Sequence, residues 1–157
     1  PGRIETASGA MPPAPLSVAA GTLLLTLADP ETPIYLVGGV DTPEVRGWLA
    51  FHTGAPLAGP DRAVFAVGRW DDLTPLEPYR IGTADYPDRS ATLIIECDRL
   101  TAEGTRLTGP GIRDQAHLPL PDAEAFARNR ARYPLGLDFY LTCGDRIAGL
   151  PRSTRIG

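Results

Sequence analysis

The apolar residues of this sequence come in short runs of two kinds, helical and strand-like, and Gly or Pro closes most of them. Such punctuation restricts the chain to small elements joined by turns. Gly and Pro supply 17 residues each among 157, against a usual combined share of about 12%. With 43% hydrophobic and 22% charged residues, the excess predicts long connections around an ordered core and not disorder. A chain of this length is expected to form one domain over residues 1–157, with enough core to need neither disulfides nor a structural metal.

Leu16, Ala20, Leu23, Leu24 and Leu27 recur at helical spacing, which predicts a helix from Pro15 to Ala28 stopped by Asp29-Pro30. Ile34 to Val37, closed by Gly38-Gly39, reads as a buried strand. Thr42 as cap, Pro43 and Glu44 in the first turn and Gly54 at the end frame a second helix. Its inner face would carry Val45, Trp48, Leu49 and His52. Ala63 to Val67, Thr92 to Cys97 and Arg106 to Thr108 read as strands, with a helical turn near Asp72 to Glu77. A last helix runs from Pro121-Asp122 to about Arg132, where Glu124 and Arg128 stand four residues apart. Leu137 to Thr142 and Arg146 to Leu150 flank Gly144-Asp145, the signature of an antiparallel hairpin. Helices alternating with apolar strands point to a layered α/β fold, and the hairpin makes its sheet mixed.

All 15 basic residues are Arg, and the chain has no Lys. A Schiff base to pyridoxal phosphate, a lysine phosphate loop and a Ser-Lys dyad are therefore excluded. A net charge of −4 gives no electrostatic case for a nucleic-acid partner. Cys97 and Cys143 sit in apolar runs and read as unpaired, buried thiols of a cytoplasmic protein. No Cys and His stand at zinc spacing, so no metal is expected. His52 is expected to be a hydrogen-bonded core histidine, and His117 a loop residue. The longest apolar stretch, Leu16 to Ala28, is too short to span a bilayer, so no membrane contact is expected. The sequence starts at Pro1 without Met, and further residues are expected upstream.

Three polar segments carry candidate chemistry. Leu107 to Arg113 brackets Pro110 with Gly109 and Gly111; it reads as a strand-ending turn or, with Thr108 and Arg113, as a cradle for an anionic oxygen. Asp85 to Thr92 puts Arg89 and Ser90 at the entry to a strand, as a local polar network or an interface. Leu150 to Arg155 places Arg152 and Thr154 near the chain end, where they can grip a phosphate, meet a partner's carboxylates or form a solvated tail. Arg152→Ala and Arg113→Ala are expected to leave thermal unfolding nearly unchanged, as surface Arg changes normally do.

Taken in order, seven segments resemble the signatures of the PhnH family, a subunit of the bacterial carbon–phosphorus lyase system. They are Pro1 to Ile4, Leu25 to Pro33, Phe51 to Pro56, Gly82 to Thr92, Leu107 to Ile112, Pro134 to Asp138 and Leu150 to Arg155. The resemblance implies a three-layer α/β/α sandwich similar to the large domain of pyridoxal-phosphate-dependent transferases, without that cofactor. It implies a homodimer that joins the PhnG, PhnI and PhnJ subunits in a core complex. It implies a part in coupling a phosphonate to the ribose of ATP, with no established catalytic residue. Ser153 stands where the family usually has Thr, and the family's helical segment before Pro1-Gly2 is absent from this sequence. The rival readings are a stand-alone nucleotide- or phosphate-binding enzyme using Gly109 to Arg113 and Arg152, and a generic dimeric scaffold.

Overall fold

In the computed structural model, which describes residues 1–157, the alternating runs become one large sheet with helices on both faces. The sheet contains β1 (Ile4–Thr6), β2 (Ile34–Leu36), β3 (Phe65–Gly68), β4 (Thr92–Glu96), β7 (Asp138–Cys143) and β8 (Arg146–Leu150), in the order β1-β8-β7-β4-β3-β2. The four strands β2, β3, β4 and β7 run parallel, and β8 returns antiparallel beside β7. A second sheet of β5 (Thr105–Thr108), β6 (Ala116–Leu118) and β9 (Arg155–Ile156) is ordered β6-β5-β9. The helices are α1 (Val18–Leu27), α2 (Pro43–Thr53), the single turn α3 (Trp70–Leu73) and α4 (Ala123–Ala131).

Strand alternation divides the core. Ile94 on β4 points to one face, where it packs with Leu24 of α1, Leu49 of α2 and Val67 of β3. Leu93 and Ile95 point to the other, among Leu73, Phe126, Phe139 and the second sheet's Leu107 and Leu118. Burial on both faces explains why Thr92 to Glu96 carries a continuous apolar run instead of an alternating one.

The helix starts follow their caps. Ser17 Oγ accepts from Ala20 N–H at 3.1 Å, Thr42 Oγ1 from Val45 N–H at 3.1 Å, and Asp122 Oδ1 from Ala125 N–H at 3.2 Å. Because Ser17 is the cap, α1 begins three residues later than Pro15. Gly54 ends α2 at φ 67°, a left-handed conformation that favours glycine.

Several expectations are corrected. Val45, Leu49 and Thr53, four residues apart, form the buried stripe of α2, and that phase turns His52 out of the core. His52 is exposed, its ring 5.0 Å from those of Trp48 and Phe51. His117 belongs to β6, opposite Arg106, and not to a loop. The turn expected at Asp72 to Glu77 forms earlier, at Trp70–Leu73, with Pro75 just beyond it. Cys97 and Cys143 are free, but half-buried where full burial was expected. Of the alternatives open for the chain end, the solvated tail is excluded, since the segment contributes β9.

Asn129 locks α4 to the start of β7. Its amide donates to Leu137 C=O at 2.9 Å and accepts from Leu137 N–H at 2.8 Å, all within the core. Asn129→Leu keeps the volume and leaves both backbone groups unpaired, at about 1–3 kcal/mol each. Urea unfolding of this variant is expected to show a loss of roughly 2–4 kcal/mol.

Candidate functional site

The polar loops singled out from the sequence gather around the chain end. Arg152 follows β8, and its side chain, 11% exposed, turns back across the starts of β4 and β7. Nε donates to Asp138 Oδ1 at 3.1 Å and Nη2 to Asp138 Oδ2 at 2.7 Å. Nη2 also donates to Ser90 Oγ, and Nη1 to the carbonyls of Pro87 at 2.8 Å and Pro134 at 3.4 Å. All five guanidinium N–H groups therefore meet acceptors of the chain itself. The Arg152 backbone N–H adds a bond to Asp138 Oδ1 at 2.9 Å.

The Gly109–Arg113 turn lies beside this cluster and between both termini. Ile112 N–H closes it on Gly109 C=O at 3.1 Å. Gly109 has φ 127°, and a Cβ there would stand 3.2 Å from Ser153 C=O. Gly111 has φ 83°, and its Cβ would stand 2.7 Å from Pro1 Cδ. Both glycines permit close approach of backbone as well as an unusual φ. Thr108 pairs with Arg155 in the β5–β9 ladder. Thr154 is buried, with no partner for its hydroxyl. Arg113 is exposed and unpaired, and Arg89 lies exposed over the Tyr86 ring, 3.7 Å from its centroid. The structure thus joins Arg152 to Ser90 and seats Gly109 against Ser153–Arg155, while Arg89 and Arg113 stand outward.

These segments occupy the starting ends of the parallel strands. α/β proteins usually bind ligands at the opposite, carboxyl ends, and there the structure brings together three pairings that the sequence reading did not. Glu96, the last residue of β4, accepts from Ser17 N–H at 2.8 Å, from Ser17 Oγ at 2.6 Å and from the Thr142 hydroxyl. Arg69 grips Asp98 with two bonds, at 2.9 and 2.6 Å, which holds the Asp98 carboxyl below its ordinary value. Cys97 and Cys143 continue β4 and β7 side by side, one residue past the Glu96–Thr142 pair. Burial pushes the Cys97 thiol up to about 11. No group of three His, Cys, Asp or Glu is assembled in a way that could hold a metal ion, and no helix is long and apolar enough to cross a membrane.

A cavity of about 500 Å3 opens on the flank of α4, between that helix and the segment after α3. Its walls include Trp70, Leu76, Asp122, Arg128, Arg132 and Leu137. The sequence reading placed Asp122, Arg128 and Arg132 on the last helix, with Arg128 as a partner of Glu124, and marked no site there.

Fold and loops together define a mixed-sheet α/β protein whose Arg and Gly loops bind its termini to the starts of its strands. The chain belongs to the PhnH family: the family described as bacterial phosphonate metabolism protein (PhnH) matches residues 1–157. It is 38% identical over 163 residues to the alpha-D-ribose 1-methylphosphonate 5-triphosphate synthase subunit PhnH of Rhizobium meliloti (strain 1021), covering 99% of this chain and 80% of that protein. It is 33% identical over 110 residues to HtxG of Stutzerimonas stutzeri, provisionally described as a C-P lyase subunit, covering 66% of this chain and 55% of that one.

Two outcomes are expected. The contacts of Arg152 reverse the expectation of an inert surface residue, whereas Arg113 keeps it. Arg152→Ala removes a mostly buried charge and strands Asp138, so denaturant unfolding should show a loss of roughly 2–3 kcal/mol, below the 3–5 of a fully buried pair; Arg152→Lys, without the planar fork, should recover only part. For Cys97, alkylation of native protein by iodoacetamide should be slow at neutral pH and accelerate toward pH 11, as the thiolate forms. Because the unfolded chain releases that proton first, the thiol's contribution to stability should fall as pH rises from about 9 to 11.

Proposed function

We propose that this chain is a subunit of the carbon–phosphorus lyase core complex of phosphonate catabolism. In this role it supports formation of ribose 1-phosphonate 5-triphosphate from ATP and an alkylphosphonate, and it does not perform the reaction alone. The observation that carries the reading is the family match over residues 1–157, joined to 38% identity with a protein named as a subunit of such a synthase. Its partners are a second copy and the PhnG, PhnI and PhnJ chains. The architecture is read as a likeness of the large domain of pyridoxal-phosphate-dependent transferases. That cofactor has no role here, since no ε-amine is present to form its aldimine.

The surface chemistry supports assembly at the starting ends of the strands. Of the six exposed large hydrophobics, Leu27, Phe51, Leu57, Tyr86 and Tyr133 all lie in segments that lead into a parallel strand. Exposed aromatic residues beside unpaired Arg side chains are the composition of contact centres between proteins. Arg89 with Tyr86, and Arg113, meet the partners. Arg152, Ser90, Thr108, Gly109, Gly111 and Thr154 hold that surface in shape.

Co-expression with the other core subunits, followed by affinity purification through one of them, tests this. The chain should co-purify, and the Tyr86→Ala/Arg89→Ala double variant and Arg113→Ala should each recover less while unfolding within about 0.5 kcal/mol of the parent. Failure of the unaltered chain to co-purify would overturn the assignment.

A further inference from the structure

The cavity beside α4 borders that surface at Ile81, which bridges Ser90, and at Leu137, which leads into β7, and the fold alone does not account for its lining. One wall is a single stripe of the helix and its cap: Asp122, Ala125, Arg128 and Arg132, at steps of three, three and four residues. Along the helix axis this row extends about 15 Å, with a carboxylate at one end and two guanidinium groups at the other. Arg128 has only a loose contact with Glu124, at 3.9 Å with both side chains largely exposed. Arg132 has no side-chain partner. Two free forks one helical turn apart suit a phosphoryl group that can bridge them.

The carboxylate end differs. Asp122 uses Oδ1 to cap α4 and keeps its second oxygen free. Trp70 is stacked on Phe126, with centroids 5.1 Å apart and planes 20° apart, and also lines the cavity. An indole wall and a free acceptor in the same cavity suit a planar group carrying N–H donors. Leu76, Ile81 and Leu137 supply apolar lining, and Glu77 adds a second carboxylate. The volume, about 500 Å3, is that of a small-molecule site.

We propose that this cavity binds a nucleoside phosphate lengthwise, with the base against Trp70 and Asp122 and the phosphates on Arg128 and Arg132. The site is separate from the Gly109–Arg113 turn and goes beyond the subunit reading, on which it does not rest.

The sequence has two Trp, so Trp48→Phe leaves Trp70 as the sole indole reporter in the full chain. Fluorescence titrations with ATP, adenosine and tripolyphosphate separate the two ends of the ligand. ATP should perturb Trp70 and bind at least roughly tenfold more tightly than either fragment, because only ATP carries both the base and the phosphates that the two sets of contacts hold. Arg128→Gln/Arg132→Gln, both exposed and without strong partners, should weaken ATP at least roughly tenfold and leave adenosine unchanged. Arg113→Ala should bind as the parent does. The site is refuted by no response to millimolar ATP, by tripolyphosphate binding as well as ATP, or by undiminished ATP binding in the double variant. Co-purification of that double variant with the other subunits is scored separately, so loss of the nucleotide site and loss of assembly are distinguishable.

Discussion

The guanidinium of Arg152 is the contact on which the chain's closure depends. It gathers Pro87, Ser90, Pro134 and Asp138 around one charge, from segments 14 to 65 residues earlier. A charge with 11% side-chain exposure cannot be left without a counter-charge, because desolvation would then oppose folding. Asp138 meets that requirement from the first position of β7, so the end of β8, the entry to β4 and the entry to β7 are held in one arrangement. The chain then runs on to β9, which pairs with β5 and draws the second sheet over the main one. The burial of Leu107 and Leu118 in the core thus follows from where the chain end is tied.

This dependence separates what could be read in the sequence from what could not. The helices were legible because their signals are local. Thr42, Pro43 and Gly54 state both ends of α2 within a dozen residues, and the apolar phase of α1 repeats over three turns. The parallel strands were legible as apolar runs. β1, β6 and β9 were not, since two or three residues carry no period; they exist because neighbouring strands supply hydrogen bonds. His52 shows a narrower failure. Its spacing from Val45 and Leu49 fits a helical face, but a one-residue error in phase moves a side chain by about 100°, enough to carry it from core to solvent.

The site was less legible than the fold, for a similar reason. Arg152 among hydroxyls marked a polar cluster, yet nothing near it in sequence names Ser90 or Asp138. An Arg whose fork is filled from distant segments looks, in the sequence, the same as one awaiting a ligand. Gly109 and Gly111 were marked as close-approach positions, and they are; what approaches is the chain's own termini. The cavity on α4 was the reverse case. Arg128 was read as the partner of Glu124, and only the 3.9 Å separation shows how little that pairing holds it.

At the carboxyl ends of the parallel strands the chain supplies its own anion to the start of α1. In many α/β proteins the helix that follows a strand there presents its N-terminus to a ligand phosphate. Here the N-terminus of α1 is occupied by an anion of the chain itself. Glu96 takes the Ser17 N–H and hydroxyl at the helix start, where the dipole also favours negative charge, and Thr142 fixes it from β7. Beside it Arg69 and Asp98 neutralise each other, and Gly38 sits so close to Asp72 that a Cβ there would run into its carboxylate. An external phosphate at that helix start would have to displace Glu96. Exposed guanidinium groups without a side-chain partner stand at both ends of the strands, Arg99 and Arg146 at the carboxyl ends and Arg113 at the starting ends, but only Arg128 and Arg132 line a cavity, so the flank of α4 is where free charge and an enclosed volume coincide.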